Sequence, residues 1–172
     1  MKFYGTMGLI FLSFIFISGC TRDSERKDIQ EMKNEIIALK KSVESFEPDL
    51  GDIMVNLHLH HAKLYFSGQN ENWELASYQL DEIKEGLHKV EELHEHFKEL
   101  KNSPKNLRHL TDQGLTDIEA AIKEKNKSNF MAGFKHLTVS CNQCHQATGH
   151  AFIVVQVPTA IMFSNQNFSK TK

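Results

Sequence analysis

The chain is short of the residues that would make it anything but helical. Its 172 residues include 3 cysteines, 3 prolines, 3 tyrosines and 1 tryptophan. No segment carries the runs of alternating β-branched residues that build a β-rich core, and the prolines sit at boundaries: Pro48, Pro104 and Pro158. No basic block is present, which argues against a nucleic-acid partner. A Gly-rich phosphate loop, a Ser–His–Asp order and paired carboxylates are all missing, so nothing supports a hydrolase and the chain reads as a non-enzyme. The one apolar run, Leu9 to Ile17, falls short of the roughly 20 residues that span a bilayer.

That run follows Lys2 and leads into Ile17-Ser18-Gly19-Cys20. A basic start, a short apolar stretch and small residues before a cut site read as a secretory signal over residues 1–19. The ending resembles a bacterial lipoprotein lipobox. The resemblance implies cleavage before Cys20, lipid on that residue, and attachment to a membrane of the bacterial cell envelope, facing the periplasm. Thr21 in place of Asp is what outer-membrane sorting of the enterobacterial type would have. Loss of residues 1–19 removes Lys2 and no acid, so the formal charge goes from −2 to −3.

Residues 20–47 are polar apart from Ile29, Met32, Ile36, Leu39, Val43 and Phe46, spaced 3, 4, 3, 4, 3. This is a heptad stripe, predicting a helical stalk of roughly 35–40 Å that either joins two copies of the chain or packs as an extra helix. Pro48 ends it. A second pattern, about Asp49 to Phe66, aligns Leu50, Met54, Leu57, His61 and Leu64, with Gly68 as an expected left-handed cap. A third, about Asn72 to Lys101, aligns Ala76, Leu80, Ile83, Leu87, Val90, His94 and Phe97. Ser103-Pro104 reads as an N-cap followed by proline at the first helical position. A fourth contains Leu107, Leu110, Leu115, Ile118 and Ile122. The fifth opens near Ser128 and aligns Phe130, Phe134, Leu137, Cys141 and Cys144. The β-branched run Ile153–Val157 before Pro158 should be extended. The expected fold is all-α: an antiparallel four-helix bundle over 48–150, with an N-terminal helical stalk and an extended C-terminal tail over 151–172.

The chemistry lies in Cys141-Asn142-Gln143-Cys144-His145. CxxCH is the attachment signature of c-type haem. One helical turn puts both thiols on one side, where they can add to the two vinyl groups of a porphyrin, and the next residue can reach the iron. The other readings are a redox pair, a short-loop disulfide, or half a zinc site completed by His136, His145 or His150. A second CxxC is missing, and the export signal favours haem.

Architecture and motif together resemble cytochrome c-prime and related class II c-type cytochromes, four-helix bundles with CxxCH on the last helix. The segments His61–Ala76 and Phe152–Gln166 also look like those of a family of bacterial cytochrome-like lipoproteins. The first resemblance implies covalent haem c at Cys141 and Cys144, proximal ligation by His145, and a distal residue early in the first bundle helix. The stalk and the long tail depart from it. Met54 stands near the distal place, as ligand or as core filler. His61, two turns on, is the alternative ligand, or a satisfied buried histidine; His58 is a weaker candidate and Met162 a remote one. His60, His88 and His96 are expected to be exposed, and His94 to be buried. A filled distal site suits one-electron transfer with redox protein partners, and an open one suits binding a gas such as NO or CO. A zinc or disulfide lipoprotein is the non-haem alternative.

Overall fold

The computed structural model describes residues 17–93 and 108–170. It is all-helical, and no strand occurs among the described residues. Five helices follow one another: α1 Ile17–Glu44, α2 Leu50–Gln69, α3 Trp73–Leu93, α4 His109–Lys123 and α5 Lys127–Thr148. Two compact units meet in sequence between Glu47 and Pro48. No described helix is long and apolar enough to cross a membrane. His94, His96, Phe97, Pro104 and Leu107 lie outside the described residues.

Helix α1 is a unit by itself, and its side chains from Arg22 to Val43 are exposed. The stripe expected to reach Phe46 stops at Val43 on the helix. Phe46 falls in the turn beyond Glu44, where Ser45 Oγ donates to the Ser42 carbonyl and the Phe46 amide to that of Val43. Pro48 disfavours a helical conformation for the residue before it, so the helix stops short.

The second unit is two helical hairpins built by the same device. In each, a helix closes with a six-residue backbone bond, Asn72 N–H to Ser67 O at 2.9 Å and Asn126 N–H to Ala121 O at 2.8 Å. In each, a non-glycine residue takes the left-handed conformation, Glu71 (φ 57°) and Lys125 (φ 53°). The asparagine then caps the next helix, its side-chain oxygen accepting from Leu75 N–H or Asn129 N–H. Turns this short make α2/α3 and α4/α5 antiparallel neighbours. The hairpins pack through α3 on α4 and α2 on α5.

Gly68 corrects one expectation. It is no left-handed cap but a buried residue inside α2, and the chain turns three residues later. A Cβ there would lie 2.0 Å from Phe130 Cε1. Glycine is needed because the Phe130 ring of α5 rests on the α2 backbone. Gly114 does the same for α4, where a Cβ would lie 3.0 Å from Leu137 Cα.

The main core draws on all four bundle helices: Leu64 from α2, Trp73, Ala76, Leu80 and Ile83 from α3, Leu115, Ile118, Ala121 and Ile122 from α4, and Phe130, Phe134 and Leu137 from α5. Among the described residues, a second buried cluster, Leu50, Ile53 and Val90, with Met54, Leu57 and Leu93 against it, belongs to α2 and α3. The tail is extended, and no helix forms in it. It starts beside the C-terminal end of α5 and finishes at the α2/α3 turn. There Phe168 is buried 5.8 Å from the Phe66 ring, and Asn72 Nδ2 donates to the Ser169 carbonyl at 2.9 Å.

Candidate functional site

Cys141 to His145 occupy the last turns of α5. The helix holds its line because Phe130, Phe134 and Leu137 are fully buried ahead of the motif. Thr138, Ser140 and Thr148 direct their hydroxyls back to the carbonyls of Phe134, His136 and Cys144. Gly149 ends the helix at φ 91°, a conformation glycine adopts without strain, and His150 N–H donates to the His145 carbonyl at 2.7 Å.

Beyond that cap the chain doubles back along the motif. His145 Nδ1 lies 2.8 Å from the Ile153 carbonyl oxygen. A carbonyl only accepts, so Nδ1 carries the proton and Nε2 presents its lone pair. This is the arrangement that fixes the tautomer and orientation of a metal-ligating imidazole. Asn142 grips the same strand of chain two residues on. Its Oδ1 accepts from Val155 N–H at 2.8 Å and its Nδ2 donates to the Val155 carbonyl at 2.9 Å. Sequence reasoning treated Asn142 as spacer between the cysteines. Its one available signal was chemical, an amide that can pair with both the N–H and the C=O of a single residue.

Both thiols are free and half-buried, and Cys141 packs against the main core. Burial, with Cys144 adding to it, pushes the Cys141 thiol up to about 12, and burial raises Cys144 as well. Neither is poised as a free nucleophile. Among the described residues, no three His, Cys, Asp or Glu side chains converge as a metal-binding group. His136 is instead exposed, 3.5 Å from Asp117, beside a surface hollow of about 390 Å³ that Gly133 and Asn129 also line. That hollow flanks the N-terminal half of α5, away from the motif.

His61 is buried, and Nε2 lies 2.9 Å from Thr138 Oγ1. The Thr138 hydroxyl is already spent on the Phe134 carbonyl, so it accepts from the imidazole. The ring lies 4.5 Å from that of Phe134. Burial, helped by the charge of His58, pushes His61 down to about 4. It has the surroundings of a satisfied core histidine. His58 and His88 are exposed. His60, expected to be exposed, is half-buried, with Nδ1 2.8 Å from Gln79 Oε1 of α3 and Nε2 3.7 Å from Glu82. Met162 is 87% exposed in the tail, where it can close no pocket.

Met54 is half-buried against Leu50, Ile53 and Val90. Its height along the bundle follows from two contacts between the antiparallel helices α2 and α5. Gly68 meets Phe130, and His61 meets Thr138. Seven residues back along α2 from His61 is Met54, and seven residues on along α5 from Thr138 is His145. The two candidates for axial ligation therefore share a level.

No family model, curated protein or solved structure matches this chain.

Proposed function

We propose that the chain is a c-type cytochrome of the bacterial cell envelope, carrying one haem c on Cys141 and Cys144 with His145 as proximal ligand. The observation that carries this reading is the His145–Ile153 hydrogen bond, which holds the imidazole in the tautomer that leaves Nε2 for iron. The thiols fit the group: both are free and one helical turn apart, and Cys141 packs against the main core. Bound there, haem supplies a one-electron iron couple whose potential follows its axial ligands and the dryness of its pocket.

The protein's own part is to orient and to exclude water. Ile153 holds His145, Asn142 holds the strand that carries Ile153, and the apolar residues of α2 and α3 wall the opposite side. Met54, level with His145, is the distal ligand in this reading, and His61 is engaged elsewhere. A filled distal site favours electron transfer over gas binding, with no catalysed reaction of its own. Exposed Phe152, Ile153 and Val154 beside His145 offer an apolar face of the kind that marks docking surfaces, here for redox protein partners. The lipobox-like ending at Cys20 supplies the membrane anchor. The zinc reading lacks a converging third ligand among the described residues, and the disulfide reading sets free thiols against it.

The test is expression with a c-type maturation system, followed by intact-mass measurement and absorption spectra with and without reductant and carbon monoxide. A haem adduct, a low-spin spectrum indifferent to carbon monoxide, and conversion to a carbon-monoxide-sensitive form in Met54→Ala are expected. A colourless product without added mass would refute the haem. A carbon-monoxide-sensitive parent would replace electron transfer with gas binding.

A further inference from the structure

Helix α1 carries an exposed apolar seam. Ile29, Met32, Ile36, Leu39 and Val43 are each 52–65% exposed. We propose that α1 pairs with α1 of a second copy of this chain as a parallel, in-register, two-stranded coiled coil. This inference is independent of the haem.

The heptad phase follows from the spacing. Ile29, Ile36 and Val43 take the a positions, Met32 and Leu39 the d positions. β-branched residues at a with Leu or Met at d favour two strands. The flanking positions then decide partner and direction. Position g holds Asp28 and Glu35, and position e holds Lys33 and Lys40. In a parallel pair each g residue faces the e residue five places later on the other helix. Asp28 thus meets Lys33 of the second copy, and Glu35 meets Lys40 of the second copy, with both pairs repeated by the two-fold axis. In an antiparallel pair g faces g and e faces e, which sets acid against acid and lysine against lysine. The charges are therefore complementary to the same helix in one orientation. On the anchoring reading, that orientation also brings both Cys20 residues to one end, as two chains in one membrane leaflet require.

The seam is short. Arg22 and Glu25 occupy the preceding a and d positions, and Phe46 lies beyond the helix. Association is accordingly weak and concentration-dependent. Charge variants at exposed positions test it without disturbing the bundle. A lysine introduced at position 35 would lie one turn from Glu31, so the helix itself loses nothing.

The full-length chain in detergent micelles is examined by sedimentation equilibrium over a range of concentrations. The parent is expected to show a monomer–dimer equilibrium. Glu35→Lys should weaken it by about three- to tenfold, since each pair of this kind contributes modestly. Glu35→Lys combined with Lys40→Glu should restore it to within about twofold of the parent. A parent that stays monomeric throughout overturns the proposal. So does tightening by Glu35→Lys, the signature of antiparallel pairing, or a double variant no better than the single one.

Discussion

Replacing Gly68 with alanine adds one carbon where the structure has a phenyl ring. The new Cβ would stand 2.0, 2.2 and 2.5 Å from Phe130 Cε1, Cζ and Cδ1, against about 3.5–4.0 Å for an ordinary carbon contact. The ring would have to withdraw by about 1.5 Å to reach that contact distance. It has nowhere to go: Phe130 is fully buried, with Trp73 edge-on at 6.0 Å and Phe134 stacked at 6.3 Å. Overpacking of this kind costs about 1–3 kcal/mol, occasionally more, while alanine in a helix interior gains about 1 kcal/mol over glycine. The net expectation is a loss of up to about 2 kcal/mol in urea denaturation, with the slope unchanged. Phe130→Leu makes room, so the double variant should be more stable than the two single losses predict, by about 1 kcal/mol. A helix-capping role for Gly68 would also make alanine unfavourable, but it would show no coupling to Phe130. Stabilising behaviour of Gly68→Ala, or strict additivity with Phe130→Leu, would refute the close-packed reading of the α2–α5 contact.

Acidification should destabilise the bundle through His61. Its imidazole is held near 4 in the fold against an ordinary 6.5, so the unfolded chain binds the proton first, and stability present above pH 6.5 is lost as pH falls toward 4. The gap from 6.5 to about 4 caps that loss at about 3 kcal/mol. The parent's stability should fall faster with acid than that of His61→Gln, and parallel pH profiles for the two would sink the assignment of a buried neutral imidazole. Asn142→Ala removes both bonds to Val155, worth about 1–3 kcal/mol of local anchoring. Amide exchange at Val155 should quicken by about five- to 150-fold while Leu64 and Phe134 stay protected, and an unchanged rate at Val155 would mean that the tail is held by something else.

The four bundle helices were legible because each buries one face, and a buried face writes its period into the sequence. Phe130, Phe134 and Leu137 on α5, or Ala76, Leu80 and Ile83 on α3, needed no further clue. Gly68 was misread because the same residue type serves a left-handed turn and a close helix contact; the choice belongs to Phe130, 62 positions away. His60 was misread because Gln79, on a neighbouring helix, decides its surroundings. The stripe on α1 overran the helix by one position because apolar spacing does not register where backbone hydrogen bonds stop. Of the candidate site, the two thiols and His145 could be named from spacing alone. Their supports could not. Ile153 acts through its carbonyl and Asn142 through its amide, and neither leaves a periodic trace.

The two halves of the bundle differ in a way that bears on where a flat cofactor could sit. Around Phe130 and Phe134 all four helices contribute to one continuous core, and a glycine is required merely to let α2 approach α5. That end has no room to give. Toward the other end, the buried Leu50, Ile53 and Val90 come from α2 and α3, and among the described residues α4 and α5 add no buried apolar residue to them. What α5 presents at that level is Cys141, Cys144 and His145, backed by a strand of tail. On the proposed reading, that division gives a flat cofactor an apolar wall on one hairpin and attachment points on the other. The tail's hydrogen bonds then have a clear physical purpose. On that reading, Ile153 and Asn142 fix the imidazole and the tail at the end of α5.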